Sequence, residues 1–283
     1  MPLNLPLTAP EVDLPVSRFW RDPGLPFIEA RDVRDGRLIS HAAHSHESFS
    51  IGAVTAGQST YLNGHLRCRI AAGTVVLMNP GAVHACNPLD DHPWAYHMLY
   101  VDAPWLAALQ GRLGLGGGRL LTPLAPLLST DPQLFDNLVA LYAELVDTGR
   151  TVAQKEAAAV AFFSQMLRTL GAADEQLGDS GAQLQRVVDF IRGHCSEALS
   201  LEQMSEVAGW TPSYLIRAFK QRLGMTPHAF LNDARLQYAR RQLRDGMPIA
   251  DAAHAAGFAD QAHLQRLFKR SLATTPGHYR QAR

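Results

Sequence analysis

Cysteine is scarce: Cys68, Cys86 and Cys195 are the whole supply in 283 residues. They are widely spaced and odd in number, so neither a zinc-finger spacing nor a disulfide framework is expected, which suits a reducing cytoplasm. Long apolar runs are missing too. Nothing approaches the ~20 residues needed to span a bilayer, and no membrane partner is expected. The opening stretch, MPLNLPLTAPEVDLPVSRFW, lacks the basic and apolar blocks of a secretory signal. Proline punctuates it instead, and a flexible or edge-running arm is expected there. Net charge is also absent, because 26 Lys and Arg balance 26 Asp and Glu. The balance hides a division. Residues 183–283 carry 14 basic against 8 acidic side chains, whereas residues 1–182 carry 12 against 18. An acidic module joined to one that seeks a polyanion is the reading this implies.

From Phe27 to about Tyr100 the chain runs in short strand-like stretches, among them FSIGAVTAG, STYLNG, TVVLMNPG and AYHMLYVD, parted by Gly, Asn-Gly and Pro-Gly turns. That spacing predicts an antiparallel sandwich or barrel. Asn63-Gly64 is the strongest hairpin signal, since both residues tolerate positive φ. Apolar residues at three- and four-residue spacing then predict helices over 133–147 and 152–170. Residues 172–183 are polar, glycine-containing and without an apolar face, and are expected to link two domains. The expected domains are 1–171 and 184–283, the second almost wholly helical.

The last hundred residues repeat themselves. AGWTPSYLIRAFKQRLGMTP begins at Ala208 and AGFADQAHLQRLFKRSLATTP at Ala256. Each holds Ala-Gly-aromatic, Leu-x-Arg-x-Phe-Lys and Thr-Pro, and each follows a short apolar-patterned helix. Helix, Gly turn, helix, twice over, is the helix-turn-helix arrangement. Thr211 and Asp260 are expected to cap the second helix of each unit. Leu215, Phe219, Leu264 and Phe268 are expected to face the core. The opposite faces then present Ser213, Ile216, Arg217 and Lys220 in the first unit, and Gln261, Ala262, Gln265, Arg266 and Lys269 in the second. Arg and Gln bond base edges in the major groove, and Lys neutralises phosphate.

With GF, DQ, HLQRLFK and TPGHYR in its second unit, residues 183–283 resemble the DNA-binding domain of AraC/XylS-type transcription regulators. The resemblance implies two helix-turn-helix units joined by a long helix, about Pro227–Arg244, reading adjacent major-groove segments of double-stranded promoter DNA. Family base contacts fall on Ser213, Ile216 and Arg217, then on Gln261, Gln265 and Arg266. Ile216 departs from the polar residue often found there, and Ala273 stands where the family usually has Gly. A homodimer and a small-molecule effector are further implications.

Three of the chain's twelve histidines lie in HAAHSHESFS, at His41, His44 and His46. On a regular strand His44 and His46 point to one side and Glu47 to the other. HSHE, followed by GTVVLMNPGAVHACN, resembles the two elements of a cupin domain, which implies an antiparallel β-barrel bringing His84 toward His44 and His46. The glutamate such a domain expects several residues later is missing. Three imidazoles suit a zinc, nickel, iron or manganese site with an open position. They equally suit hydrogen bonding to an organic effector, or a structural polar network, and the residues leave these readings open. His41, His97 and Cys86 are lesser candidates. The expected whole is α+β with two domains: a cupin-like barrel with trailing helices, then an all-α DNA-binding domain. It reads as a cytoplasmic regulator rather than an enzyme, the competing reading being a metal-dependent cupin catalyst with an accessory DNA-binding tail.

Overall fold

A computed structural model describes residues 17–38, 43–64, 66–90, 92–115, 120–170 and 179–281. Eight strands come first: β1 (Ser17–Trp20), β2 (Ile28–Val33), β3 (Phe49–Asn63), β4 (Leu66–Ala71), β5 (Val75–Met78), β6 (His84–Pro88), β7 (Trp94–Val101) and β8 (Leu128–Ser129), with helix α1 (Ala103–Arg112) between the last two. Helices α2 (Pro132–Val146) and α3 (Val152–Thr169) follow, each end within one residue of the bounds the periodicity predicts. His41 and most of the expected linker lie outside the described residues, and α4 (Asp179–Gly193) begins at Asp179.

All pairings are antiparallel, in the order β1-β2-β7-β3-β5-β8. The two stretches read from sequence as separate strands fuse into the 15-residue β3. Its first half pairs with β7 and β5, its second half with β4 and β6. Gly57 stands at the changeover with φ +70°, where a Cβ would meet the Pro93 carbonyl oxygen at 1.9 Å. The hairpin is displaced by one residue from the expected Asn63-Gly64 turn. Asn63 is the last strand residue, opposite Leu66, and its buried amide donates to the Tyr61 hydroxyl at 2.7 Å and the Leu77 carbonyl at 3.0 Å.

The sheet is open, and the expected cupin barrel is thereby corrected. The path of strands ends at β1 and β8, and no pairing among the described residues joins those edges. Helices cover the sheet where a barrel would curl. Phe49, Ile51, Ala53, Leu77, Leu99 and Val101 form one core with α1–α3. Their period-two neighbours Val54, Val76, Met78, Tyr96, Met98 and Tyr100 belong to a second core shared with the far end of the chain. Both faces are thus buried, the condition that makes strands read as near-continuous apolar runs. Leu134, Leu138, Leu141 and Leu145 of α2 are buried within their own chain's first core.

The C-terminal part is all helical: α5 (Leu201–Ala208), α6 (Pro212–Leu223), α7 (Pro227–Arg244), α8 (Ile249–Ala255), α9 (Gln261–Leu272) and α10 (Pro276–Gln281). The two helix-turn-helix units are α5–α6 and α8–α9, with α7 between them. Thr211 accepts from the Tyr214 amide and Asp260 from the His263 amide, so both expected caps form. Leu215, Phe219, Leu264 and Phe268 are completely buried. Ala273 ends α9 in the left-handed region at φ +51°, where glycine is the unstrained choice. No helix among the described residues is long and apolar enough to cross a membrane.

Candidate functional site

Two surfaces carry chemistry. On α6, Ser213, Arg217 and Lys220 are exposed and Ile216 is half-buried; on α9, Gln261, Ala262, Gln265, Arg266 and Lys269 are all exposed. The amphipathic spacing that buries Leu215 and Phe219 forces Ser213, Arg217 and Lys220 outward, and the same geometry recurs on α9. Pro212 at the start of α6 needs no amide partner, so this helix begins cleanly at its exposed end.

The second surface is internal. His44 makes an isolated antiparallel bridge with His84 at the start of β6, and His46 lies three residues before β3. The two therefore reach the pocket from an irregular approach rather than from a regular strand. Their rings nonetheless converge: centroids are 4.9 Å apart for His44–His46, 4.6 Å for His44–His84 and 4.8 Å for His46–His84. All three are buried, and one nitrogen from each lies within 4.8 Å of the others. Glu47 points away, as expected, and pairs with Arg241 of α7 at the surface. His97 is elsewhere, against Asp32 and Tyr142.

The rings border a cavity of about 30 Å³, walled also by Val54, Met98, Tyr100, Arg31 and, from α9, Leu272. That is room for one water or an ion. The His84 Nδ1 lies 2.9 Å from the Ala82 carbonyl, which only accepts, so the ring proton sits there and Nε2 keeps its lone pair. Burial pushes the His84 pKa down to about 4, against the carbonyl's opposing pull. Burial likewise holds the Cys86 thiol at about 12, so this cavity sulfur is an inert thiol.

Around the cavity the sheet and the C-terminal helices are tied by buried charge. Glu29 of β2 accepts from Arg21 Nε at 2.6 Å, Arg240 Nη2 at 3.3 Å and the Tyr279 hydroxyl at 3.0 Å. Burial opposes its ionisation, but Arg21 and Arg240 overcome this and hold the carboxyl below its ordinary value. Arg31 donates to the Leu272 carbonyl at 2.9 Å, and Arg240 Nη1 lies 3.1 Å from His46 Nδ1. Asp233 of α7 accepts from the Ser45 amide at 3.0 Å and hydroxyl at 2.5 Å; burial pushes its carboxyl up to about 6. None of Glu29, Arg31, Asp233 and Arg240 is singled out by sequence pattern alone. A faint signal exists: Glu29 and Arg31 interrupt the strand stretch FIEARDV, and Asp233 and Arg240 stand two helical turns apart on one face of α7.

Comparison with known proteins agrees with this layout. The AraC-like ligand binding domain matches residues 31–168, and a helix-turn-helix domain matches residues 204–282. The chain is a sequence-specific DNA-binding transcription regulator with an effector-binding domain, as in AraC-type proteins. YbfI of Bacillus subtilis, an uncharacterized HTH-type transcriptional regulator, is 26% identical over 86% of this regulator and 87% of its own length. The transcriptional activator RhaS of an Enterobacter species is 34% identical over 38% of the chain, a match covering 40% of RhaS. Among solved structures, an apo point variant of ToxT from Vibrio cholerae superposes with a TM-score of 0.57 over 90% of this chain and 97% of its own, at 15% identity, a likeness of fold.

Proposed function

We propose that the effector of this regulator is a divalent transition metal, zinc, nickel, iron or manganese, held by His44, His46 and His84. The supporting observation is three buried imidazoles around a cavity sized for an ion, with the His84 lone pair already aimed by the Ala82 carbonyl. Zinc binds histidine nitrogen at ~2.0–2.1 Å and accepts three protein ligands plus an open position. Ligation at that distance draws nitrogens now up to 4.8 Å apart inward. Equilibrium dialysis of the purified full chain against each metal, with elemental analysis, is expected to give one ion per chain. Each of His44→Ala, His46→Ala and His84→Ala should abolish it, because two imidazoles hold such an ion weakly. No binding by the wild-type chain to any of the four metals would end this reading and leave an organic effector.

The same proposal assigns residues 1–171 to effector sensing, 172–183 to the link and 184–283 to DNA. Base edges are read by Ser213, Ile216 and Arg217 of α6 and by Gln261, Gln265 and Arg266 of α9, with Ala262 on the same DNA-facing side and Lys220 and Lys269 on phosphate. Ile216 supplies an apolar contact for a thymine methyl. An operator can be selected from a pool of random duplexes. Arg217→Ala and Arg266→Ala should each lose ~1–3 kcal/mol on that operator beyond their loss on random DNA. Lys220→Ala should weaken both duplexes alike and flatten the salt dependence. Equal losses on both duplexes for the arginine variants would remove them from base reading. A homodimer, implied by the family resemblance, belongs to the same proposal; sedimentation of the full chain at micromolar concentration is expected to give a dimer, and a monomer would dismiss it.

A further inference from the structure

The histidine cluster is not chemically symmetric. At His84 the ring partner is a carbonyl, which leaves the inward nitrogen free to ligate. At His46 the partner is Arg240 Nη1, 3.1 Å from Nδ1. A guanidinium only donates, so His46 Nδ1 must accept. A neutral imidazole offers a single lone pair, and in this structure Arg240 holds it.

We propose that metal ligation by His46 and its contact with Arg240 exclude each other, so that the ion and the docking of α7 compete for one ring. This rests on the metal reading above. Ligation through Nδ1 displaces Arg240 directly. Ligation through Nε2 turns Nδ1 into an N–H donor, which then faces the guanidinium donor to donor. In either case a divalent charge also arrives beside a buried cation, in surroundings that screen it poorly. Contraction of the three nitrogens around an ion pulls the His46 ring the same way, off the arginine.

The consequence reaches the DNA-binding helices because of where Arg240 sits. It is 8% exposed, on the helix that joins the two helix-turn-helix units. Its guanidinium lies 5.4 Å from the Tyr100 ring of β7 and 5.3 Å from the Tyr279 ring of α10, and Nη1 also donates to Gln237 at 3.0 Å. One residue before His46, Ser45 is bonded to Asp233 on the same helix. With Glu47 paired to Arg241, the segment bearing two of the three ligands is therefore stitched to α7 at three points, and the ion takes one of them away. By linkage, whatever affinity the ion removes from docking, docking removes from the ion.

The test is zinc affinity of the full-length chain, measured by competition with a chelator. Arg240→Met keeps the length and apolar stem but removes donor and charge, and Glu29 retains Arg21 and Tyr279. It should bind zinc at least tenfold more tightly than wild type. In the unmodified chain, hydrogen exchange of α7 amides and of residues 43–48 should speed up several-fold when zinc is added, a readout that holds even if the variant fails to fold. Equal zinc affinity in a folded variant, or exchange unchanged by zinc, overturns the competition while leaving the metal site standing. Absence of binding of zinc, nickel, iron and manganese alike in both chains overturns the metal reading, and the competition with it.

Discussion

Glu29→Gln is expected to lower the stability of the full chain by about 3–5 kcal/mol, the cost of leaving a buried charge without its partner. The substitution preserves shape, so the loss reports charge. Arg21 and Arg240 both point at this carboxylate, and Arg240 has no other anion among the contacts described for it. Urea unfolding at neutral pH should show the midpoint falling with little change in slope. The acid limb provides a second check. Because the folded carboxyl is held below its ordinary value of 4.5, its stabilisation is complete above that pH and is lost as pH falls through the folded value. Wild type should therefore lose this increment on acidification and the Gln variant should not. A variant within about 1 kcal/mol of wild type at neutral pH would mean that the arginines re-pair or hydrate freely. The exposed pair Glu47–Arg241 is the natural contrast. With 47% and 39% of these side chains open to solvent, Glu47→Gln should change stability by less than about 1 kcal/mol.

Phe268→Ala is expected to cost about 3–5 kcal/mol, the range for emptying a fully buried aromatic site. Its partner in the repeat, Phe219, is equally buried, yet the two serve different cores. Phe219 packs with α4–α7, whereas Phe268 belongs to the core that runs from α7–α10 into the sheet. Its ring lies 5.3 Å from Tyr279, whose hydroxyl holds Glu29. The cavity at position 268 should therefore loosen the charge cluster as well as the helix. Combined with Glu29→Gln, the loss should fall short of the sum of the two single losses, since both act through Tyr279. Strict additivity in a double-mutant cycle would separate the two sites, and a loss below about 1 kcal/mol for Phe268→Ala alone would show that the core closes over the gap.

What the amino-acid order determined by itself is everything that depends on neighbours along the chain. The two helix-turn-helix units follow from a repeat, from caps at Thr211 and Asp260, and from a 3.6-residue period that leaves Arg217 and Arg266 outside and Phe219 and Phe268 inside. Asn63 marks the limit of such reading: the hairpin was legible, but a one-residue shift makes Asn63 a buried strand residue bonded to Tyr61 and Leu77. Strand alternation was legible too, and it misled about closure. A near-continuous apolar run states that both faces of a strand are buried; it does not state by what. Here α1–α3 cover one face and helices more than a hundred residues further on cover the other, so the sheet stays open where a barrel was expected. The convergence of His44 and His46 with His84 was anticipated from a cupin resemblance whose barrel does not form; a bridge between His44 and His84 brings the rings together instead. Glu29, Asp233 and Arg240 were beyond sequence reasoning for a related reason. Charged side chains read as solvated until their partners are known, and Glu29 and Arg240 stand 211 residues apart. Only the tertiary fold decides whether such a charge is buried, because only it brings the opposite charge near enough to offset the loss of water.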